Sequence, residues 1–127
     1  MTISKKIIAT EKAPKAIGPY VQAVESNGFL FLSGQLGLDP TSLQLPTTIE
    51  EQTRNCLANI EEVLAAAELT KNHVVKTTVF LTDMQNFGTV NQIYAEFFTE
   101  NFPARSLVAV KELPKGGSIE IECIAIR

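Results

Sequence analysis

Arg105 is the first side chain of this sequence that could do chemistry rather than only support a fold. It follows Phe102-Pro103-Ala104 at the start of a predicted strand, where a charge is not needed for solubility. The alternative roles are a structural ion pair and a charge at the rim of the fold. The residues around Arg105 must therefore show whether this arginine is functional or structural.

Two carboxylates, Glu120 and Glu122, interrupt another predicted strand. Strand alternation places them on one face together with Ile124 and Ile126. A carboxylate on a face that becomes buried is costly unless it is paired or hydrogen-bonded. The alternative is a charge that keeps an edge strand from pairing with other chains.

Tyr20 and the pair Ser33-Gly34 are further candidates. Tyr20 follows Gly18-Pro19, and it could equally be a core aromatic whose hydroxyl reaches water. Ser33-Gly34 ends a predicted buried strand, where the backbone and hydroxyl could meet a ligand, although a plain turn fits as well. Taken alone, these residues support only a cleft with one arginine and one glutamate.

Several classes of site find no support in the residue types and spacings. The segment Gly34-Gln35-Leu36-Gly37 is only a fragment of a phosphate-binding loop. Cys56 and Cys123 have neither metal-type nor redox-type spacing, so we expect them in the core. His73 is the only histidine, and we expect it to be solvated. The net charge of -3 argues against a nucleic-acid partner.

The chain of 127 residues is long enough for one compact domain, which we expect to span residues 1–127. The segment Met1–Ile8 lacks an apolar core long enough for a signal peptide. No apolar stretch approaches the roughly 20 residues that cross a membrane. We therefore expect a cytoplasmic protein without a membrane partner.

Hydrophobic periodicity predicts two helices and six strands. An Asn27-Gly28 turn between apolar runs predicts a hairpin. Apolar residues at helical spacing predict a long amphipathic helix that Thr47 or Thr48 caps and that ends near Glu68. The second predicted helix spans 89–99, and the predicted strands span 6–10, 20–25, 28–33, 73–81, 105–110 and 118–126.

The predicted order is therefore β-β-β-α-β-α-β-β, an α+β fold whose crossover helices share one face of the sheet. The strand that contains Phe29-Leu30-Phe31-Leu32 is nevertheless apolar on both faces. One chain of this length lacks the helices to cover a second apolar sheet face. An oligomer that packs these faces together is the simplest solution.

The sequence resembles the Rid family, the reactive intermediate deaminases, which are also known as L-PSP endoribonucleases or translation inhibitors. Five stretches, which run across almost the whole chain in the family's order, carry the resemblance: Ala16-Ile17-Gly18-Pro19-Tyr20, Ser33-Gly34-Gln35, Val75-Lys76-Thr77-Thr78-Val79, Phe102-Pro103-Ala104-Arg105-Ser106 and Ile119-Glu120-Ile121-Glu122. Within the family, the presence of Arg105 matches the RidA branch.

The resemblance implies a chorismate-mutase-like fold with a mixed sheet, assembled as a homotrimer around a central barrel with clefts between neighbouring subunits. It also implies hydrolysis of 2-aminoacrylate and related 2-imino acids to 2-keto acids and ammonia. Such a 2-iminobutanoate/2-iminopropanoate deaminase needs no metal or organic cofactor.

By the same resemblance, Arg105 grips the substrate carboxylate through two hydrogen bonds, which lysine lacks the geometry to make. Glu120 orients the attacking water and accepts its proton, and Tyr20 forms a hydrogen bond near the substrate nitrogen. The backbone at Gly34 and at Leu107 completes the polar wall beside Ser33. Asn91 occupies a site-lining position.

Leu107 departs from the RidA pattern, which often has cysteine there. If the family's contact at this position is the backbone carbonyl, the substitution leaves the chemistry intact but removes a thiol. Two other functions stay open: a module that binds 2-keto acids or amino acids without turnover, and an endoribonuclease or translation inhibitor. The carboxylate of Glu120 favours the deaminase, because a sensor of anions gains nothing from a second negative charge.

Overall fold

The computed structural model describes residues 3–127, and in this range six strands and two α-helices follow one another as β-β-β-α-β-α-β-β. This is the predicted order. The first two residues of the predicted 1–127 domain lie outside the described range. The strands are β1 (Lys6–Ile8), β2 (Ala23–Ser26), β3 (Phe29–Leu36), β4 (Val74–Leu81), β5 (Ala104–Ala109) and β6 (Ile119–Ile126), and the helices are α1 (Ile49–Ala66) and α2 (Phe87–Phe98).

The strands form one mixed sheet in the order β1-β2-β3-β6-β4-β5. Only β4 and β5 pair in parallel; the other neighbours are antiparallel. Because β3 and β4 are both antiparallel to the intervening β6, they run in the same direction. The connections through α1 and α2 are therefore both crossovers, as predicted.

The predicted hairpin joins β2 and β3 at Asn27-Gly28. Both residues have positive φ, 52° at Asn27 and 83° at Gly28. A two-residue turn of this kind matches the twist of the flanking strands, and it requires residues that tolerate the left-handed region. The pairing of Ser26 with Phe29 directly flanks this turn.

Both helices cover the same face of the sheet, which confirms the predicted α+β fold class. Every second residue of β6 belongs to the buried core: Ile119, Ile121, Cys123 and Ala125. Helix α1 begins after Thr48, whose side chain accepts a hydrogen bond from the Glu51 N–H as predicted. Helix α2 packs on α1, and its Tyr94 reaches Thr77 on β4.

The opposite face of the sheet carries large apolar side chains that no helix covers. Phe29, Phe31 and Ile126 are 40%, 46% and 41% exposed, and Phe31 pairs with Ile124 across the β3–β6 ladder. This open face, defined by Phe29, Phe31, Ile124 and Ile126, is the second apolar face that the strand pattern predicted.

Three predicted strand limits differ from the structure by two residues or more. The first strand ends at Ile8 rather than Thr10, because the Thr10 N–H donates to the Gln22 side chain instead of a neighbouring strand. The second begins at Ala23 rather than Tyr20. The third continues past Ser33 to Leu36, since a bulge between Leu32 and Gln35 absorbs the irregular residues without ending the ladder.

Helix α2 begins two residues earlier than predicted. A short 3-10 turn, Met84–Asn86, occupies the predicted turn region, and its first residues are ordered by the Asp83 carboxylate, which accepts from the Gln85 N–H. Phe87 continues this turn directly into the helix.

Within residues 3–127, no helix has the length and apolar character that crossing a bilayer requires.

Candidate active site

A cavity of about 290 Å³ opens beside the bulge of β3 and the start of β6. Three predicted site residues, Tyr20, Gly34 and Glu120, line it together. Two lysines, Lys15 and Lys115, add positive charge to its wall. The remaining lining residues are mainly apolar: Pro14, Ile17, Gln22, Gln35, Leu36, Leu38, Leu43 and Pro114.

Among the described residues, Glu120 supplies the only carboxylate in the wall of this cavity. The residue is partly buried on the sheet face opposite the helices. Burial raises the pKa of the Glu120 carboxyl, and the nearby charge of Glu122 raises it further. A carboxylate with a raised pKa is a better proton acceptor from water than an ordinary one, which suits general-base chemistry.

Gly34 allows the carboxylate of Glu120 to lie against the backbone of the bulge. A Cβ atom at Gly34 would be 2.5 Å from Glu120 Oε1, which is much closer than non-bonded atoms approach. The absence of a side chain here is therefore a condition for the observed position of Glu120. The sequence pair Ser33-Gly34 was predicted as a possible ligand contact, and the structure places its glycine at the cavity.

Ser33 itself does not line the cavity. Its hydroxyl donates to the Val21 carbonyl oxygen at 2.6 Å, and its N–H donates to the Gln22 carbonyl oxygen at 2.9 Å. Both bonds tie Ser33 to the two residues that directly follow Tyr20. Tyr20 is 49% exposed, and its hydroxyl accepts a long hydrogen bond of 3.5 Å from the Ile17 N–H.

The loop before Tyr20 is held by Gln22, a buried residue that sequence reasoning missed. Its amide accepts from the Thr10 N–H at 2.7 Å and donates to the carbonyl oxygens of Thr10 and Pro14 at 3.1 and 2.8 Å. The only sign of this role in the sequence is that Gln22, a polar residue between Val21 and Ala23, breaks an otherwise apolar strand pattern.

Helix α1 holds the loop on the other side of the cavity through amides that were also missed. The Asn59 side chain donates to the carbonyl oxygens of Leu36 and Leu38 at 3.1 and 3.0 Å, and it is only 3% exposed. Gln52 accepts from the Ser118 N–H at 2.9 Å, which fixes the start of β6. The cavity wall is therefore tied to the helix rather than left as a free loop.

Arg105 lies on β5, away from this cavity. Its guanidinium carbon is 4.8 Å from the centre of the Tyr94 ring and 6.0 Å from that of Phe87, both on α2. The ion pairs among residues 3–127 are Arg54–Glu96 and Arg127–Glu25, so the structural ion pair considered for Arg105 does not form within this part of the chain.

Asn91 and Leu107 lie near Arg105 in the fold. Asn91 shares the helix face of Phe87 and Tyr94, and its Oδ1 atom is buried without a hydrogen-bond partner among the described residues. The Leu107 side chain packs against the core, in register with buried Val79. Its backbone belongs to β5, which is one of the two edge strands of the described sheet.

The candidate residues thus form two groups on opposite faces of the sheet. Glu120 pairs with Leu36 and Phe80 on the open side. Arg105 pairs with Thr77, which in turn pairs with buried Cys123 on the helix side. Directly paired residues in a sheet point to the same face, so Arg105 and Glu120 do not meet within one chain.

The cysteines and the histidine have structural roles. Burial raises the pKa of the Cys123 thiol to about 12, and it also raises the pKa of the buried Cys56 thiol. Neither is a thiolate at neutral pH. His73 was expected to be solvated; it is partly buried, and its Nδ1 accepts from the Thr70 N–H at 3.0 Å. The described residues contain no cluster of side chains suited to a metal ion.

Comparison with known proteins gives one consistent family. The family model described as "Endoribonuclease L-PSP" matches residues 10–127. The mouse protein named 2-iminobutanoate/2-iminopropanoate deaminase is 50% identical over 127 residues, which cover 99% of this chain and 94% of the mouse protein.

Solved structures agree with the fold. A Yersinia pestis protein of the conserved Rid family superposes with a TM-score of 0.95 at 49% identity, covering 98% of this chain and 100% of that one. Escherichia coli TdcF with bound serine superposes with a TM-score of 0.93 at 43% identity, covering 96% and 98%. The family model matches residues 10–127, and these relatives are 43–50% identical over nearly the whole chain, so the chain belongs to the Rid family, the group that the L-PSP model describes.

Proposed function

We propose that this protein is a 2-iminobutanoate/2-iminopropanoate deaminase, a hydrolase that converts reactive enamines and imines to 2-keto acids and ammonia. The curated relatives with nearly full coverage of the chain carry this activity in their names. We propose further that residues 1–127 act as a single Rid-type domain in the cytoplasm, and that three copies assemble with their sites between subunits.

Arg105 is the proposed binding group for the substrate carboxylate. It has no acidic partner among the described residues, so its N–H donors remain available. A guanidinium can bind a carboxylate through two parallel hydrogen bonds, and hydrogen bonds to charged groups contribute about 1.5–3 kcal/mol each. Asn91 and the backbone at Leu107 complete this half of the site.

Glu120 is the proposed base for the addition of water. The carboxylate accepts a proton from water as the water oxygen forms its bond to the imine carbon, and it passes this proton to the nitrogen to give a carbinolamine. Glu120 then transfers the hydroxyl proton to the nitrogen, the carbon–nitrogen bond breaks as the carbonyl forms, and ammonia leaves the resulting 2-keto acid. Tyr20, in the same cavity, supplies a hydrogen bond near the nitrogen, and Gly34 keeps the carboxylate in place.

A site between subunits would reconcile the separate positions of Arg105 and Glu120. The two residues face opposite sides of one sheet, and the open face offers an apolar surface for packing against another copy. A neighbouring subunit that covers this face could bring its own Arg105 to the cavity of Glu120. Closed rings of identical subunits commonly form in this way.

The observation that carries the proposal is the half-buried carboxylate of Glu120 with its raised pKa in a cavity beside Tyr20. The test is a coupled assay in which a serine or threonine dehydratase supplies the unstable intermediate. Release of pyruvate or 2-oxobutyrate is followed with and without this protein. We expect wild-type protein to accelerate release. With folded Arg105→Ala, we expect release only at the background rate.

Two results would contradict this assignment. Full activity in Arg105→Ala would show that the carboxylate is bound elsewhere. Wild-type protein that binds pyruvate without accelerating its release would favour a regulatory module that senses 2-keto acids.

A further inference from the structure

The guanidinium of Arg105 rests on an aromatic ring rather than on a carboxylate. Its central carbon lies 4.8 Å from the centre of the Tyr94 ring, and the Phe87 ring is more distant at 6.0 Å. A cation over the face of an aromatic ring is attracted by the ring's negative π-face, most strongly where water is excluded. Tyr94 is only 4% exposed, so water is largely excluded from the Tyr94 side of this contact.

Neighbouring side chains fix the ring of Tyr94 at two points. Its hydroxyl shares a hydrogen bond of 2.7 Å with Thr77, which is 1% exposed, and its ring packs against that of Phe98 with centres 4.7 Å apart. Burial raises the pKa of the Tyr94 hydroxyl, so the group stays neutral and retains its bond to Thr77.

Thr77 also lies directly beside Arg105 in the register of β4 and β5. The strand that carries the arginine and the strand that fixes the tyrosine are therefore hydrogen-bonded neighbours. The sheet carries Arg105 and helix α2 carries Tyr94, so the distance between the guanidinium and the ring depends on the packing of α2 against the sheet.

The type of contact matters for ligand binding. A carboxylate partner would occupy the N–H donors that a substrate needs, whereas the face of a ring attracts the charge and leaves the donors at the guanidinium edge available. A long arginine side chain without any such contact would lose more conformational entropy on binding.

We propose that Tyr94 is a positioning residue whose buried ring, fixed by Thr77, holds the Arg105 guanidinium ready for the substrate carboxylate. The inference rests on the proposed function, in which Arg105 binds that carboxylate. It goes beyond it by assigning a role to a residue of α2 that touches no substrate.

The experiment compares Tyr94→Leu, which removes the ring, with Tyr94→Phe, which keeps the ring and removes the hydroxyl. Steady-state constants are measured in the coupled assay, and the dissociation constant of 2-oxobutyrate is measured by calorimetry. For Tyr94→Leu we expect KM and this dissociation constant to rise roughly 3- to 10-fold with kcat within about twofold of wild type. For Tyr94→Phe we expect near wild-type values of both, although thermal stability falls with the lost bond to Thr77.

A core aromatic with no role in the site predicts a different pattern, in which stability falls and KM and the dissociation constant do not change. That pattern in Tyr94→Leu overturns the inference. So does an equal loss of affinity in Tyr94→Phe, because the hydroxyl rather than the ring would then be responsible. If Tyr94→Leu does not fold, Tyr94→Met, whose flexible side chain fills the space without a ring, replaces it; the same rise in the dissociation constant supports the inference, and unchanged binding overturns it.

The calorimetric titration separates this inference from the proposed function. If wild-type protein binds 2-oxobutyrate without accelerating its release, the deaminase proposal fails, while the Tyr94 variants still test the positioning of Arg105. If wild-type protein neither binds 2-oxobutyrate nor turns over the intermediate, both proposals fail.

Discussion

At the scale of single residues, the protonation state of Glu120 is the property that most directly connects structure with rate. Burial and the charge of Glu122 raise the pKa of its carboxyl above the ordinary value of 4.5. The base form is therefore lost at a higher pH than for an exposed glutamate. We expect kcat/KM to fall on acidification with a midpoint above 4.5, because this constant reports the ionisation of the free enzyme.

The variant Glu120→Gln gives the matched control for this pH dependence. We expect activity to fall roughly 10²- to 10⁴-fold and the acid limb of Glu120 to disappear. Stability supplies a second readout. Because the folded pKa is raised, the folded state binds more protons than the unfolded state in this range, so wild-type stability decreases relative to Glu120→Gln as pH rises. An acid limb that persists in the variant would assign the titration to another group.

The candidate site shows at residue scale what a sequence can predict. Tyr20, Gly34 and Glu120 lie far apart in sequence and share one cavity, a grouping that the family resemblance implied and that residue types alone did not. The supporting amides of Gln22 and Asn59 were not predicted. Their burial depends on loops that fold over them, and a hydrophobic pattern carries no information about such contacts.

At the scale of elements, the order and type of the six strands and two α-helices followed from the apolar patterns and from the Asn27-Gly28 turn. The limits of β3 did not follow. A glycine inside a strand pattern is compatible with a turn or a bulge, and the pairing of β3 with β6 on both sides of Gly34 identifies the bulge.

This bulge is testable through Gly34→Ala. The added methyl group would collide with the Glu120 carboxylate, the flexible end of a side chain, so the fold survives while the carboxylate moves. We expect thermal stability close to that of wild type and kcat lower by roughly 10- to 100-fold, since small displacements of a catalytic group are costly.

The matched glycine for this experiment is Gly88, where an added Cβ would meet no atom within 4 Å. Gly88→Ala lies in α2 and should retain full activity with equal or slightly higher stability, because alanine favours helix. Unchanged kcat in Gly34→Ala would show that the position of Glu120 against the bulge is not important for catalysis.

At the scale of the whole molecule, the sheet separates the two charged groups that the reaction needs. Arg105 points toward α2, Glu120 lies on the opposite side, and β4 runs between their strands. The apolar open face with Phe29 and Phe31 gives a second reason to expect association, since exposed apolar area of this kind commonly marks an interface.

The proposed assembly from three copies therefore makes the catalytic site a property of neighbouring subunits. The sequence predicted the need for a partner from the doubly apolar strand, which one chain of this length cannot cover. It did not predict which residues each subunit contributes, because that depends on the face toward which each side chain points in the folded sheet.

The most direct test of this account is co-expression of Arg105→Ala with Glu120→Gln, each inactive alone. If a site takes Arg105 from one subunit and Glu120 from its neighbour, random assembly leaves about a quarter of the sites with both wild-type residues. We predict recovery of about a quarter of wild-type deaminase activity in the co-purified mixture. Activity no higher than that of the two separate variants would contradict the shared site.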